Sequence, residues 1–225
     1  MQTGLFTILI SLAFAMNVCA QVSLGADVVS RYVWRGTDFG NAAAVQPALS
    51  FAKGGFEVGA WGSFAVDDGS ANENDLYISY SSGPVTVMVT DYYFPGYTGN
   101  DFFGYYKVSL EAGEVGPHII ELGGSYETGP LSVSAFYNLL GDKTADDSGS
   151  FYLELGYTPS YSVEGVELSL FAGAGNGFYT LEAFDEDDVF GVVNLGISAS
   201  KESISASYII NPNQETSFLV FGYSF

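Results

Sequence analysis

The fold class is decided by a pattern that is clearest in the stretch Ser217-Phe218-Leu219-Val220-Phe221-Gly222-Tyr223-Ser224-Phe225. Large apolar side chains occupy every second position from Leu219 to Phe225, and smaller or more varied residues occupy the positions between them. Successive side chains of a β-strand point to opposite faces, so a period of two predicts a strand with one strongly apolar face. The same alternation recurs along most of the chain.

Twelve segments of this kind predict twelve β-strands. They are residues 22–35, 44–52, 56–66, 73–82, 84–94, 117–128, 130–140, 150–159, 165–175, 188–200, 202–211 and 215–225. Short turns alternate with longer polar loops between them, as the two ends of a membrane barrel require. Residues 105–112 also alternate, but single-chain bacterial barrels have even strand numbers, so we assign 95–116 to a long loop. We therefore predict an all-β, transmembrane antiparallel β-barrel of about twelve strands.

The main alternative is a soluble β-sandwich or lipocalin-like barrel, whose apolar faces would point into a core. The faces opposite the apolar ones are rich in Gly and Ser, for example Gly59, Ser125, Ser134, Gly173 and Ser205. Such small residues cannot fill an apolar core. Aromatic residues also collect near strand ends, where the interfacial girdles of membrane barrels lie. Both observations favour the membrane barrel.

The N-terminus reads as a secretion signal. Residues Leu5 to Val18 are apolar except for Thr7, Ser11 and Asn17, which suits a signal-peptide core and is too short for a membrane-spanning helix. We predict a signal peptide over residues 1–20 and an outer-membrane barrel over 21–225. The single cysteine, Cys19, would be removed with the signal, so no disulfide is expected in the mature chain.

The charge balance excludes one class of partner. The 225 residues include 6 Lys and Arg against 26 Asp and Glu, a formal net charge of −20. Nucleic-acid binding depends on neutralising phosphates with basic side chains, so no nucleic-acid partner is expected.

The closing segment and several blocks resemble known outer-membrane proteins. The segment that ends at Phe225 resembles the last strand of Gram-negative outer-membrane barrels, in which the terminal Phe is read by the barrel-assembly machinery. The blocks 27–37, 45–48, 59–63, 73–77, 93–96 and 151–157 resemble the TorF-type porin family. The resemblance covers nearly the whole mature chain. It implies an outer-membrane pore among lipids, with no transferable catalytic residues and no cofactor.

A set of charged residues on the polar faces forms the predicted lumen or constriction site: Asp27, Arg31, Arg35, Glu57, Glu121, Glu154 and Glu167. Arg31 and Arg35 lie two pleats apart on the first predicted strand, with Asp27 on the same face. Facing carboxylates would make a constriction that orients ions. The alternative is an internal ion-pair network that braces or plugs a narrow barrel, because a buried charge needs a partner.

A second acidic set is predicted to line the outer mouth: Asp67, Asp68, Asp142, Asp146, Asp147, Glu182, Asp185, Glu186, Asp187 and Asp188. Their field would attract cations and repel anions. The spacing lacks the glycine and distal glutamate of an EF-hand, so we predict solvated loop charge and no metal site.

Catalysis is not expected. His118 is the only histidine, and no Gly-x-Ser-x-Gly motif is present. A lipid hydrolase built on His118 is the alternative, and it would lose activity on His118→Ala.

The sequence therefore predicts a porin-like channel for passive diffusion of small polar or cationic solutes. Its rival is a non-conducting barrel that displays acidic surface loops for binding. The rival is favoured if the bulky residues predicted to point inward close the bore: Trp61, Phe136, Tyr152, Phe171, Phe190 and Phe218.

Overall fold

The computed structural model describes residues 20–67, 71–98, 105, 115–142, 149–180 and 190–225. Over these residues the chain forms fourteen β-strands and two short 3-10 turns, Pro95–Thr98 and Gly177–Tyr179. The strands are β1 (Gln21–Val29), β2 (Val33–Trp34), β3 (Thr37–Asp38), β4 (Ala44–Lys53), β5 (Phe56–Ala65), β6 (Glu73–Ser82), β7 (Val85–Tyr93), β8 (Val115–Thr128), β9 (Leu131–Asp142), β10 (Phe151–Tyr157), β11 (Glu167–Gly175), β12 (Gly191–Lys201), β13 (Ile204–Asn211) and β14 (Thr216–Ser224).

Twelve of these strands close into one antiparallel barrel. Sequential neighbours pair from β4 to β14, and β1 closes the ring between β4 and β14. β1 pairs with β4 from Gln21↔Ala52 to Val29↔Ala44 and with β14 from Asp27↔Ser224 to Val29↔Gly222. The predicted all-β, twelve-stranded barrel is confirmed. Residues 95–116 add no thirteenth barrel strand among the residues described.

The structure differs from the sequence prediction at the first strand. The predicted strand 22–35 ends at Val29, and the chain then turns inward as a separate hairpin made of β2 and β3. Arg35 and Gly36 connect them with φ of 49° and 81°. Two consecutive positive φ values make the tight turn whose twist suits a two-residue hairpin. The chain therefore reverses direction at Arg35 and Gly36 and does not extend β1.

The outward faces of the barrel strands are apolar and exposed. Leu24 is 83% exposed, and Leu76, Leu155, Leu219 and Phe221 are each more than half exposed. Such a surface around the whole ring is unusual for a protein in water. Among the described residues, no helix is long and apolar enough to cross a membrane.

The inward faces pack large rings over glycines of neighbouring strands. A Cβ on Gly123 would meet the ring of Phe136 at 2.6 Å, and one on Gly173 would meet the Tyr152 hydroxyl at 2.0 Å. Gly59 lies under Tyr77 and Gly196 under Phe171 in the same way. The inward glycines therefore make room for aromatic rings that lie against the wall.

The barrel has two distinct ends. Short turns join β4 to β5, β6 to β7, β8 to β9 and β12 to β13 at one end, which we call the turn end. The connections that follow β5, β7, β9, β11 and β13 lie at the opposite, loop end, where the β2–β3 hairpin also starts, and the longer β10–β11 connection, residues 158–166, lies at the turn end. Inward residues toward the loop end are buried, whereas those toward the turn end are mostly half-exposed Ser, Gly and Glu.

Candidate functional site: the hairpin in the barrel lumen

Residues 32–39, called here the plug hairpin, lie in the loop-end half of the lumen. Tyr32 and Val33 are 4% and 3% exposed. On one side, Tyr32 contacts Glu73 of β6, and on the other, Gly36 contacts β12 and β13. The hairpin thus touches opposite walls of the barrel.

Arg35 forms the central polar contact of the plug hairpin. Its Nη1 donates to Glu121 Oε2 at 2.5 Å, and its Nη2 donates to Glu121 Oε1 at 3.0 Å. The two side chains are only 7% and 1% exposed. A bidentate pair of this kind combines charge with a fixed planar geometry. Glu121 projects inward from β8, so the pair ties the hairpin tip to the barrel wall.

Two tyrosines hold the Glu121 carboxylate in place. Tyr92 of β7 donates to Oε1 at 2.8 Å, and Tyr179 donates to Oε2 at 3.2 Å. The Tyr179 hydroxyl also accepts a hydrogen bond from Arg35 Nη1 at 2.5 Å. Each charge therefore has hydrogen-bond partners beyond the ion pair itself, which helps a buried ion pair to be tolerated.

Aromatic rings surround the Arg35 guanidinium. Its Cζ lies 3.9 Å from the ring centroid of Phe136, 4.3 Å from that of Trp34 and 4.7 Å from that of Tyr152. Arginine planes stack favourably on such rings when water is excluded. Burial lowers the pKa of Arg35, but the combined effect of Glu121, Tyr179 and Tyr92 raises the pKa above its ordinary value, so the group stays charged.

Tyr32 makes the second polar anchor. Its hydroxyl donates to Glu73 Oε2 at 2.7 Å inside the barrel. The ring stacks on Phe39 at 5.0 Å and lies 5.6 Å from the Trp61 ring of β5. Burial, together with the Glu73 charge, raises the pKa of Tyr32 well above its usual value, so the hydroxyl remains a donor.

Gly36 allows the hairpin tip to reach β12. A Cβ at this position would lie 1.9 Å from the Val193 carbonyl oxygen. The β11–β12 register shifts between Gly173 and Ala174, which pair with Asn194 and Val192, so Val193 is a bulge. Asn211 Nδ2 of β13 also donates to Gly36 O at 3.1 Å. A bulge on one strand and an amide on the next thus receive the tip.

Arg31 lies nearer the loop end and is only partly buried. It donates to Asp38 Oδ2 at 3.0 Å and to Asn41 Oδ1 at 2.6 Å. Its guanidinium carbon is 5.6 Å from the Phe218 ring. Arg31 and Arg35 do not share a strand face as the sequence suggested, because the chain leaves the barrel wall after Val29. Arg31 braces the base of the hairpin while Arg35 anchors its tip.

The remaining predicted lumen carboxylates are dispersed along the wall. Asp27 is buried on β1 beside Gln46 of β4. Glu57 accepts from Tyr77 at 2.8 Å, and Glu154 accepts from Tyr152 at 2.5 Å and from Asn194 at 3.1 Å. Glu167 is exposed at the turn end, where β11 begins. Only Glu121 of this set contacts Arg35 directly.

The predicted acidic mouth is described at two positions. Asp67 is exposed after β5. Asp142 is instead fully buried at the end of β9, where it accepts from Asn138 Nδ2 at 2.6 Å, so it is not solvated loop charge. The other eight lie outside the described residues: Asp68, Asp146, Asp147, Glu182, Asp185, Glu186, Asp187 and Asp188.

The bulky residues predicted to close the bore differ in how far they are buried inside the barrel. Phe136, Tyr152 and Phe218 are buried inside the barrel. Trp61 and Phe171 are half-buried on inward faces. Phe190 is different: it precedes β12, is half exposed, and packs 6.3 Å from Phe151. It does not narrow the lumen, because its ring partner Phe151 alternates with the inward Tyr152 on β10 and so lies on the outward face.

His118 lies in a separate cluster, against Asp91 of β7. Nδ1 is 2.8 Å from Asp91 Oδ1, and Nε2 is 2.5 Å from the Tyr105 carbonyl oxygen. The imidazole also stacks on Tyr93 at 4.7 Å. Both ring nitrogens thus face acceptor oxygens, and within the described part of the chain neither faces a serine hydroxyl.

Sequence reasoning missed several residues of the site, namely Tyr32, Glu73, Tyr92, Tyr179 and Asn211. Tyr92 and Glu73 have inward parity on predicted strands, so parity combined with polarity would have found them. Asn211 also has the inward parity of its strand, next to Ile209, whereas Tyr179 lies in the 3-10 turn after β11, where strand parity carries no information. Within the described ranges, no group of three or more His, Cys, Asp or Glu residues is arranged to hold a metal ion.

The comparisons with known proteins concern almost the entire chain. No curated protein sequence matches it. A family model described as a bacterial protein of unknown function (Gcw_chp) matches residues 15–220, which include all of the barrel strands except the end of β14. The chain therefore belongs to the Gcw_chp family of bacterial proteins.

Proposed function

We propose that the chain is an outer-membrane, porin-like pore for small polar or cationic solutes, and that the plug hairpin closes its loop-end half. The observation that carries this proposal is the position of residues 32–39 inside a closed twelve-stranded barrel. A barrel of twelve strands is wider than one that wall side chains alone can fill and narrower than a general diffusion porin. The filling of the lumen therefore decides whether it conducts.

The apolar outer surface supports insertion in a lipid bilayer. Exposed Leu, Val, Ile and aromatic side chains surround the barrel, and a closed ring leaves each barrel strand between two neighbours. The TorF-type resemblance, the predicted signal peptide over residues 1–20 and recognition of Phe225 by the barrel-assembly machinery belong to the same proposal. Together they support a place for the barrel in the outer membrane of a Gram-negative cell.

The turn-end half of the lumen supports a preference for cations. Ser and Gly line much of it, and among the described residues its inward ionisable side chains are Glu57, Glu127, Glu154 and Glu167. Carboxylates on the wall of a narrow pore attract cations and oppose anions. No catalytic role or cofactor is proposed.

The test compares two barrels refolded from residues 21–225. One carries the native hairpin, and the other has residues 32–39 replaced by a Gly/Ser segment of equal length, which keeps the connection but removes every anchor. Conductance is recorded in planar bilayers under a salt gradient. We expect small or rare openings for the native barrel, and larger, ohmic steps with a cation-favouring reversal potential for the variant.

Two results would contradict the proposal. Equal conductance of both barrels would show that the hairpin does not close the pathway. A correctly folded variant that stays silent would reject the pore and favour the rival function, a barrel that anchors surface loops for binding. The rival draws its support from the same hairpin, because its contacts on opposite walls suit a permanent plug.

A further inference from the structure

We propose that the wall site around the Arg35 guanidinium is a binding site for guanidinium cations, and that Arg35 is its tethered occupant. This inference rests on the proposed function, because a free cation reaches the site through the lumen and can bind only when Arg35 leaves it. The site would then bind small guanidinium compounds passing through the lumen, and Arg35 would compete with them.

The wall supplies most of the site without help from the hairpin. Glu121 belongs to β8, Phe136 to β9 and Tyr152 to β10, while Tyr179 follows β11. Trp34 is the one ring in contact with Arg35 that comes from the hairpin among the described contacts. Removal of the Arg35 side chain therefore leaves the carboxylate and at least two rings in place.

The carboxylate would stay oriented in the absence of Arg35. Tyr92 and Tyr179 each donate to a different oxygen of Glu121, at 2.8 and 3.2 Å. Phe136 is fixed against Gly123, which has no side chain to displace it. A site whose groups are held by their own neighbours is preorganised for a ligand.

The geometry selects guanidinium over other cations. The two oxygens of Glu121 match two parallel N–H donors of a planar guanidinium, and the ring of Phe136 lies 3.9 Å from its carbon. An alkylammonium carries the same charge but offers no planar fork, and a urea offers the fork without the charge. Both should bind less well.

A second carboxylate marks a route from the turn end. The Tyr152 ring faces Arg35, while its hydroxyl donates to Glu154 at 2.5 Å. Glu154 is half-exposed toward the open half of the lumen and also accepts from Asn194 at 3.1 Å. A cation that enters from the turn end would thus meet Glu154 first and Glu121 next.

The experiment measures binding to barrels that lack Arg35. Arg35→Ala and the Gly/Ser hairpin replacement are refolded in detergent micelles with and without methylguanidinium, and folding is checked by heat-dependent gel migration. Calorimetry then measures binding of methylguanidinium, methylammonium and N-methylurea. We expect saturable binding of methylguanidinium, at least ten-fold tighter than methylammonium, and little binding of N-methylurea. The native barrel, whose site is filled by Arg35, should bind methylguanidinium at least ten-fold more weakly.

The matched control is Arg35→Ala combined with Glu121→Gln, which keeps the shape of the site and removes its charge. Loss of methylguanidinium binding in this control supports the site. A folded barrel without Arg35 that shows no saturable binding, or that binds methylammonium equally well, overturns the inference, as does binding that survives Glu121→Gln. Because binding is measured in micelles, a silent barrel that binds would refute only the pore, and a conducting barrel that does not bind would refute only the guanidinium site.

Discussion

The two halves of the lumen share one wall but differ in what fills them. In the loop-end half, inward residues such as Glu73, Glu121 and Asn211 are buried by the plug hairpin. In the turn-end half, Glu57 of β5 and Ser134 of β9 remain partly exposed on the inward faces of the strands next to β6 and β8. The alternation of the strands is the same in both halves. The difference is therefore made by the hairpin, an insertion of eight residues between β1 and β4.

The comparison shows how a polar barrel wall can support a closed interior. The buried charge of Arg35 has its partner, Glu121, on a distant part of the chain. The turn-end half needs fewer such partners because its polar groups are not fully buried. We therefore expect substitutions in the loop-end half to change stability more than substitutions in the turn-end half.

The largest effect is expected from Glu121→Ala. It leaves the Arg35 charge without its partner in a buried site, and such a loss destabilises a fold by about 3 to 5 kcal/mol. We expect the hairpin to leave the lumen, so Trp34 becomes accessible to acrylamide and the free energy of unfolding in urea falls. Glu167→Ala, at an exposed position of the turn end, is the control and should change neither. A loss below about 1 kcal/mol for Glu121→Ala would contradict the anchoring role.

Gly36→Ala should release the hairpin tip by a steric route. The new Cβ would lie 1.9 Å from the Val193 carbonyl oxygen, at a φ of 81°. The backbone strain alone costs about 1 to 3 kcal/mol, and the clash adds to it. Gly54→Ala is the matched control, since Gly54 has a φ of 61° and nothing within 4 Å of its Cβ. Acrylamide quenching of Trp34 fluorescence should rise for Gly36→Ala and not for Gly54→Ala. Equal quenching in the two variants would show that the contact of Gly36 with β12 is unimportant.

The sequence predicted the barrel well and its plug poorly, for a physical reason. Eleven of the twelve strands required only local alternation, because each has one apolar and one polar face. The hairpin breaks this rule: Tyr32, Val33 and Trp34 continue an apolar run that looks like the end of β1. Only Arg35-Gly36, with its positive φ values, makes it turn, and Arg-Gly is a weaker turn signal than Asn-Gly.

The candidate site was predicted as separate charges and not as a constellation. Arg35 and Glu121 both belong to the charged set predicted for a constriction or an internal ion-pair network, yet nothing in the sequence pairs them with each other across 86 positions. The rings around Arg35 were expected to pack or close the bore. Their role as a cage depends on where the hairpin goes, which the periodicity of the strands does not determine.

Tyr32→Phe, also in the loop-end half, should lower the free energy of unfolding by less than the two preceding substitutions. It removes the hydrogen bond to Glu73 and leaves that buried carboxylate with one partner fewer, a cost of about 1 to 3 kcal/mol. The ring and its stacking on Phe39 are retained. Urea unfolding monitored by tryptophan fluorescence measures the loss, with Tyr208→Phe on the exposed outer face as control. If Tyr32→Phe and Tyr208→Phe are equally stable, the Tyr32 hydroxyl does not anchor the plug hairpin.

The smallest change in stability is expected from Glu57→Gln in the turn-end half. Glu57 is partly exposed, and the glutamine oxygen can still accept from Tyr77. A single charge near a hydrated ion is worth about 1 kcal/mol in water, so the cation-to-anion permeability ratio of the hairpin-replaced barrel should fall by at most about fivefold. Reversal potentials in a salt gradient measure the ratio, and Glu202→Gln at an exposed turn is the control. An unchanged permeability ratio would show that Glu57 does not contribute to ion selectivity.

The contacts of Gly36 also fix an order of assembly. Its carbonyl is held by Asn211, 175 positions later in the chain, and the Arg35 site needs Tyr179, 144 positions later. Contacts that join such distant residues form late, after the intervening chain has been arranged. The hairpin is made near the start of the chain but can dock only when β13 has joined the wall. Burial of Trp34 should therefore be a late event in folding, seen only after β13 has paired with β12.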